Sequence, residues 1–135
     1  TCKYSYIINK IFFHNIFFCE KNTSVIYNEG LPGKWELVEY YISPGNGSQQ
    51  WQTPDESLKH TLEFKSNGDF ITDAGMYYAA TAYEISNSTN IRFLNASQQV
   101  NGSFEYSYSL EEKNSILIIS PQCYEGCAYK YRAVK

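Results

Sequence analysis

Between Leu58 and Lys65 the chain alternates strictly: Leu58, His60, Leu62 and Phe64 fall on one side, Lys59, Thr61, Glu63 and Lys65 on the other. That two-residue period is the pattern of a strand with one buried face. Ser103 to Leu110 alternates in the same way, with Phe104, Tyr106, Tyr108 and Leu110 inward against Ser103, Glu105, Ser107 and Ser109. Gly33 to Ser43 is apolar on both sides, with Trp35, Leu37 and Tyr41 on one and Val38, Tyr40 and Ile42 on the other, and Glu39 interrupts the first. A strand of this kind packs twice or carries a bulge that exchanges its faces. Ser66-Asn67-Gly68-Asp69 predicts a hairpin turn, with positive φ accommodated at both Asn67 and Gly68, so that Phe70 to Asp73 returns along the preceding strand. Further strands are predicted over Ala79 to Ile85, Asn90 to Leu94, Ile116 to Ile119 and Ala128 to Val134.

These segments make eight strands, mostly joined by short connections, and no helical period follows Leu31. The predicted fold is all-β, an eight-stranded antiparallel up-and-down barrel over residues 31–135, a size whose interior holds side chains or one small ligand. Pro44 to Asp55 is the one long polar connection, and Trp51 lies within it. Loops of this length are commonly functional, which makes it a candidate lid or partner contact.

Residues 1–30 form a different region, read as a signal-like segment and a tether. Tyr6 to Phe18 is the most apolar stretch. It falls short of the roughly 20 residues needed to span a bilayer as a helix, and Lys10, His14 and Asn15 break it. A basic region, an apolar region and then Cys19-Glu20-Lys21-Asn22 follow the order of a secretory signal. The segment resembles the end of a bacterial lipoprotein signal of the Bacteroidetes type. That resemblance implies a lipidated Cys19, membrane attachment through it, and an extracytoplasmic place at the outer membrane or cell surface. Taken alone, the same residues also describe an irregular or helical extension with an incidental thiol.

Composition narrows the function classes. Aromatic residues make up 17% of the chain, with thirteen Tyr and eight Phe, which suits pleated, half-buried surfaces. The net charge is −3, and the eleven Lys and Arg are scattered singly instead of forming a stripe, which argues against a nucleic-acid partner. The sequence contains no Gly-x-Ser-x-Gly elbow, His-Glu-x-x-His or phosphate loop, and its two histidines are His14 and His60. No enzyme, metal or cofactor is expected. His60 shares an apolar face with Leu58, Leu62 and Phe64, either as a polar group lining a cavity or as a buried histidine with a hydrogen-bond partner. Tyr77, Tyr78, Tyr83, Tyr106 and Tyr108 either line an aromatic cavity or fill the core. Five Asn-x-Ser/Thr sequences, at Asn22, Asn46, Asn87, Asn95 and Asn101, are incidental if the protein is bacterial.

Gly33-Lys34-Trp35 at the start of the first strand, the Leu62 to Phe70 hairpin, and the ending Cys123-Tyr124-Glu125-Gly126-Cys127-Ala128-Tyr129-Lys130-Tyr131-Arg132 together resemble the lipocalin-like domains of bacterial lipoproteins, within the calycin group. The resemblance implies that Trp35 closes the narrow end of the barrel and that Arg132 stacks over it as a cation on an indole. The alternative is an ordinary core Trp and an ordinary surface Arg. In an exported, oxidising setting Cys123 and Cys127 are expected to form a disulfide around a tight Gly-containing loop, with a metal site or a redox pair as the alternatives. The implied function is a monomeric binding module for a small apolar or aromatic ligand, with His60, Tyr77, Tyr83, Tyr106 and Tyr108 as candidate contacts. The alternative is a ligand-free structural or inhibitor-like barrel that meets a protein partner through the Pro44 to Asp55 loop.

Overall fold

The structure is a computed structural model that describes residues 25–46 and 50–135. Cys19 and the rest of the signal-like segment lie outside the described residues. Eight strands follow in chain order: β1 (Gly33–Ile42), β2 (Thr61–Phe64), β3 (Phe70–Thr72), β4 (Ala82–Asn87), β5 (Asn90–Leu94), β6 (Phe104–Glu111), β7 (Ile116–Ser120) and β8 (Cys127–Val134). They form one antiparallel sheet in the order β3-β2-β1-β8-β7-β6-β5-β4, so the up-and-down path curls until β3 and β4 meet. That seam is narrow. It is held by the Asp69↔Ala82 bridge and by the Phe70 N–H to Thr81 O and Tyr83 N–H to Gly68 O hydrogen bonds, each 2.9 Å. The eight-stranded, nearly closed barrel is the predicted fold.

β1 carries the bulge that its two apolar faces require. Its register on β8 passes from Leu37↔Tyr131 to Glu39↔Lys130, which leaves Val38 as the extra residue. Before the bulge Trp35 and Leu37 point into the core; beyond it Tyr41 meets Trp51, with ring centroids 4.8 Å apart. The Lys65 to Asp69 turn differs from the expected form. Only Gly68 has positive φ, at 96°, while Gly68 N–H donates to Lys65 O and Lys65 N–H to Asp69 O. This is a tight turn closed by a left-handed glycine, and Asn67 contributes through its side-chain oxygen, which accepts from Asp69 N–H at 3.0 Å.

Two strands start later than the alternation suggests. β2 begins at Thr61 because the Asp55 carboxylate accepts from the backbone N–H groups of Ser57 and Leu58 and bends the chain there. β4 begins at Ala82 because Tyr78 and Ala79 are both left-handed, with φ of 50° and 57°. The packed body also reaches further back than Leu31. Ile26 packs against the core, and Asn28 N–H donates to Asn114 O. Gly33, with φ of 142°, leaves space for the Asn28 side chain where a Cβ would collide.

Trp35 is fully buried at this end, and its Nε1–H donates to Leu31 O at 2.9 Å. Arg132 does not stack over it. Ala133 is the residue opposite Trp35, and neighbouring Arg132 points outward to Glu36, Nη2 to Oε2 2.9 Å. Alternation along β8 forces this separation, since residues 132 and 133 face opposite sides. Among the described residues, a cation-π pair forms on the outer surface instead, with Lys130 Nζ 4.1 Å from the Trp51 ring centroid. Trp51 is therefore seated, and the loop holding it is pinned to β1 by two backbone hydrogen bonds between Tyr40 and Gln52 and by a third from Tyr40 Oη to Gln52 Oε1.

Candidate functional site at the barrel mouth

The end opposite Trp35 is where β2 begins, β3 ends, and β6 and β8 start. Between β3 and β4 the chain makes a short 3-10 turn, Gly75–Tyr77, which turns Tyr77 into the barrel. Tyr77 is completely buried, with its ring centroid 5.3 Å from Phe70, 5.1 Å from Phe93 and 5.9 Å from Tyr106. The turn is held from across the barrel by Tyr106 Oη, which donates to Met76 O at 2.8 Å. Phe64, Phe70, Phe93 and Tyr106 continue the packing below, so the interior is filled with aromatic side chains. Of the two readings of the tyrosines, core filling describes Tyr77.

His60 hangs at the edge of this core. Its Nδ1 is 2.9 Å from Leu58 O, which can only accept, so Nδ1 carries the proton. Nε2, 2.9 Å from Tyr131 Oη, must then accept, which makes Tyr131 the donor to His60 and Tyr77 the donor to Tyr131 at 2.8 Å. The chain of hydrogen bonds Tyr77 to Tyr131 to His60 to Leu58 runs in one direction with every proton used. Burial lowers the His60 pKa, while the Leu58 carbonyl and the Asp73 charge partly offset that. Burial also raises both hydroxyls, Tyr131 and, well above its ordinary value, Tyr77.

A pH dependence follows. The unfolded histidine takes up its proton near pH 6.5, but folded His60 resists until lower pH. Its contribution to stability is therefore present above about pH 6.5 and declines as pH falls toward the lowered folded value. Denaturant melts from pH 8 to pH 5 should show a steeper acid loss in the wild type than in His60→Asn; equal slopes would mean that His60 is not buried as a neutral group.

Above the Tyr77 turn the mouth is concave. A cavity of about 410 Å³ opens over Leu37, Tyr40, Leu58, Met76 and Tyr129, with His60 and Asp73 among its polar contributors. Across the Met76 and Tyr129 side chains lies a second, more open hollow of about 500 Å³, with Tyr78, Phe104, Tyr106 and Cys123 in its lining. Tyr40 and Tyr129 stand nearly parallel, centroids 6.3 Å apart and planes 18° apart. Two of the expected ligand contacts, His60 and Tyr106, thus reach the mouth. Tyr83 does not. It sits on the seam against Phe64, its hydroxyl donating to Lys65 O at 2.7 Å. Tyr108, on β6 opposite Ile119, packs against the core and lines neither hollow.

Sequence reasoning missed Tyr40, Met76, Asp73 and Tyr129. The bulge signal in β1 could have found Tyr40, whereas Met76 and Asp73 sit in a connection with no periodicity. Cys123 and Cys127 are bonded, with Cα atoms 5.7 Å apart. So short a loop contributes only about 2 kcal/mol of stability by chain entropy. Alkylation of the purified protein without reduction should leave both unmodified, and modification of both would mean that the bond does not form.

The molecule is thus an antiparallel β-barrel with a packed interior and a concave, largely apolar mouth. No protein-family model, curated protein or solved structure matches the chain.

Proposed function

We propose that the chain is a lipocalin-like binding module, held outside the cytoplasm at a bacterial outer membrane or cell surface by a lipid on Cys19, and that it takes a small apolar or aromatic ligand at the barrel mouth. The observation that carries the binding reading is the 410 Å³ cavity above Tyr77. Its volume and its mix of apolar walls with a few polar groups match the usual character of small-molecule sites. The ligand sits at the mouth and not deep in the barrel, because Tyr77 and its aromatic neighbours occupy the interior. The anchor rests on the sequence resemblance alone, whereas the barrel fold supports the lipocalin-like affiliation.

Native mass spectrometry of the protein from its own source tests both parts. The expected spectrum carries the mass of a small bound molecule and an acyl modification. In a full precursor, Cys19→Ser should abolish fatty-acid labelling and membrane association. Equal label on wild type and variant, or none on either, excludes the anchor.

A second reading, a ligand-free barrel that contacts a protein partner, is favoured by the exposed apolar residues around the same end. Ile42, Leu58, Tyr78, Val100 and Tyr124 are all solvent-exposed there. The partner surface on this reading is the rim, more than the pinned Trp51 loop.

A further inference from the structure

We propose that the mouth selects small organic cations, with an ammonium group held by Asp73 and the ring faces of Tyr40 and Tyr129 while the apolar body lies against Leu37, Leu58 and Met76. This rests on the reading of the mouth as a binding site and names the chemistry of its ligand.

The charge balance at the mouth points this way. Three side chains lining the cavity can carry charge, Lys59, His60 and Asp73. The Lys59 ammonium is 2.8 Å from Glu56 Oε1 and already has its counter-ion. His60 is neutral, with both ring nitrogens engaged. Asp73 has no ion pair among the described residues. The charge left without a partner is therefore a carboxylate.

The walls favour the same sign. Tyr40 and Tyr129 stand side by side on the cavity, and an aromatic ring presents a negative face that attracts a cation. An anionic ligand meets Asp73 and finds no unpaired cation. A neutral apolar ligand packs as well against Leu37, Leu58 and Met76 but takes Asp73 out of water without a partner, which is unfavourable. The chain's net charge of −3 adds weak attraction for cations from solution.

Amide-resolved NMR titration of the full chain with phenethylamine, phenethyl alcohol and hydrocinnamate separates the cases, since the three share a phenyl body and differ in charge. The amine should shift Leu58, His60, Asp73 and Met76 and bind about tenfold more tightly than the alcohol, equivalent to about 1.4 kcal/mol; hydrocinnamate should bind most weakly. Asp73→Asn, an exposed substitution that should leave the amide dispersion of the free protein unchanged, should bring the amine to the affinity of the alcohol. If the alcohol or the acid binds at the mouth as tightly as the amine, or if Asp73→Asn keeps the preference, the cation assignment fails and the binding site stands. If none of the three shifts the mouth, the binding reading fails and this inference falls with it.

Discussion

Replacing Trp35 by Ala should cost about 3–5 kcal/mol, a large share of the roughly 5–15 kcal/mol that stabilises a small domain. The indole is fully buried between Leu62 on β2 and Ala133 on β8, at the one place where both neighbours of β1 pair with the same residue in the core. Truncation opens a cavity there and also strands Leu31 O, the acceptor of its Nε1–H. Trp35→Phe keeps much of the apolar contact but loses the hydrogen bond and leaves a smaller cavity, so its cost should be lower, about 2–3 kcal/mol. Trp51→Ala is the comparison. That ring is 37% exposed but rests on Tyr41 and under Lys130, so its loss should cost about 1–2 kcal/mol, more than a free loop tip would. Urea melts of the three variants order these effects. A tolerant Trp35 beside a costly Trp51 would show that the pairing of β1 with β2 and β8 is misplaced.

The parts of the fold legible in the sequence were those where one face is buried and the other wet. Leu62 and Phe64 on β2, and the alternation of β6, place core residues correctly because a shift of one residue would expose the whole set. β1 was legible for another reason. Two apolar faces on one strand call for a bulge, and the register break at Val38 supplies it. Strand ends were less legible, because local polar chemistry decides them. The Asp55 carboxylate bends the chain ahead of β2, and two left-handed residues delay β4. Neither event leaves a mark on the hydrophobic pattern.

The site was less legible than the fold. His60 stood out as the polar residue on an apolar face, and both readings of it hold in part, since it lines the mouth and has both nitrogens satisfied. The tyrosines could not be sorted by sequence, because alternation says which side of a strand a residue takes and not how deep it sits. Tyr106 lies at the mouth end of β6, and Tyr108 on the same face lies further from it. The Trp35 and Arg132 pairing came from resemblance alone, and the neighbouring Ala133 takes the inward position instead. Met76 and Asp73 owe their places to the turn that inserts Tyr77, a tertiary event with no periodic signature.

That insertion leads to the second large effect. Tyr77→Ala should destabilise the protein by about 3–5 kcal/mol, because it removes a fully buried ring packed on Phe70, Phe93 and Tyr106. It also removes the donor to Tyr131, while Tyr131 keeps its own bond to His60. Tyr77→Phe tests the hydrogen bond by itself and should cost about 1 kcal/mol, since the ring stays and only one buried hydroxyl contact is lost. The hydroxyls add an alkaline signature. Burial pushes Tyr106 up to about 12 and raises Tyr77 and Tyr131 as well. An unfolded tyrosine ionises near pH 10, so the stability these groups contribute is full below about pH 10 and is lost as pH rises beyond it. Phenolate absorbance should therefore appear in two phases, exposed tyrosines first and the buried set together with unfolding, and the second phase should move to lower pH in Tyr77→Ala. If Tyr77→Ala is tolerated and the late phase does not move, Tyr77 is a movable wall of the mouth, the ligand cavity extends into the barrel, and the packed-core description of this end is wrong.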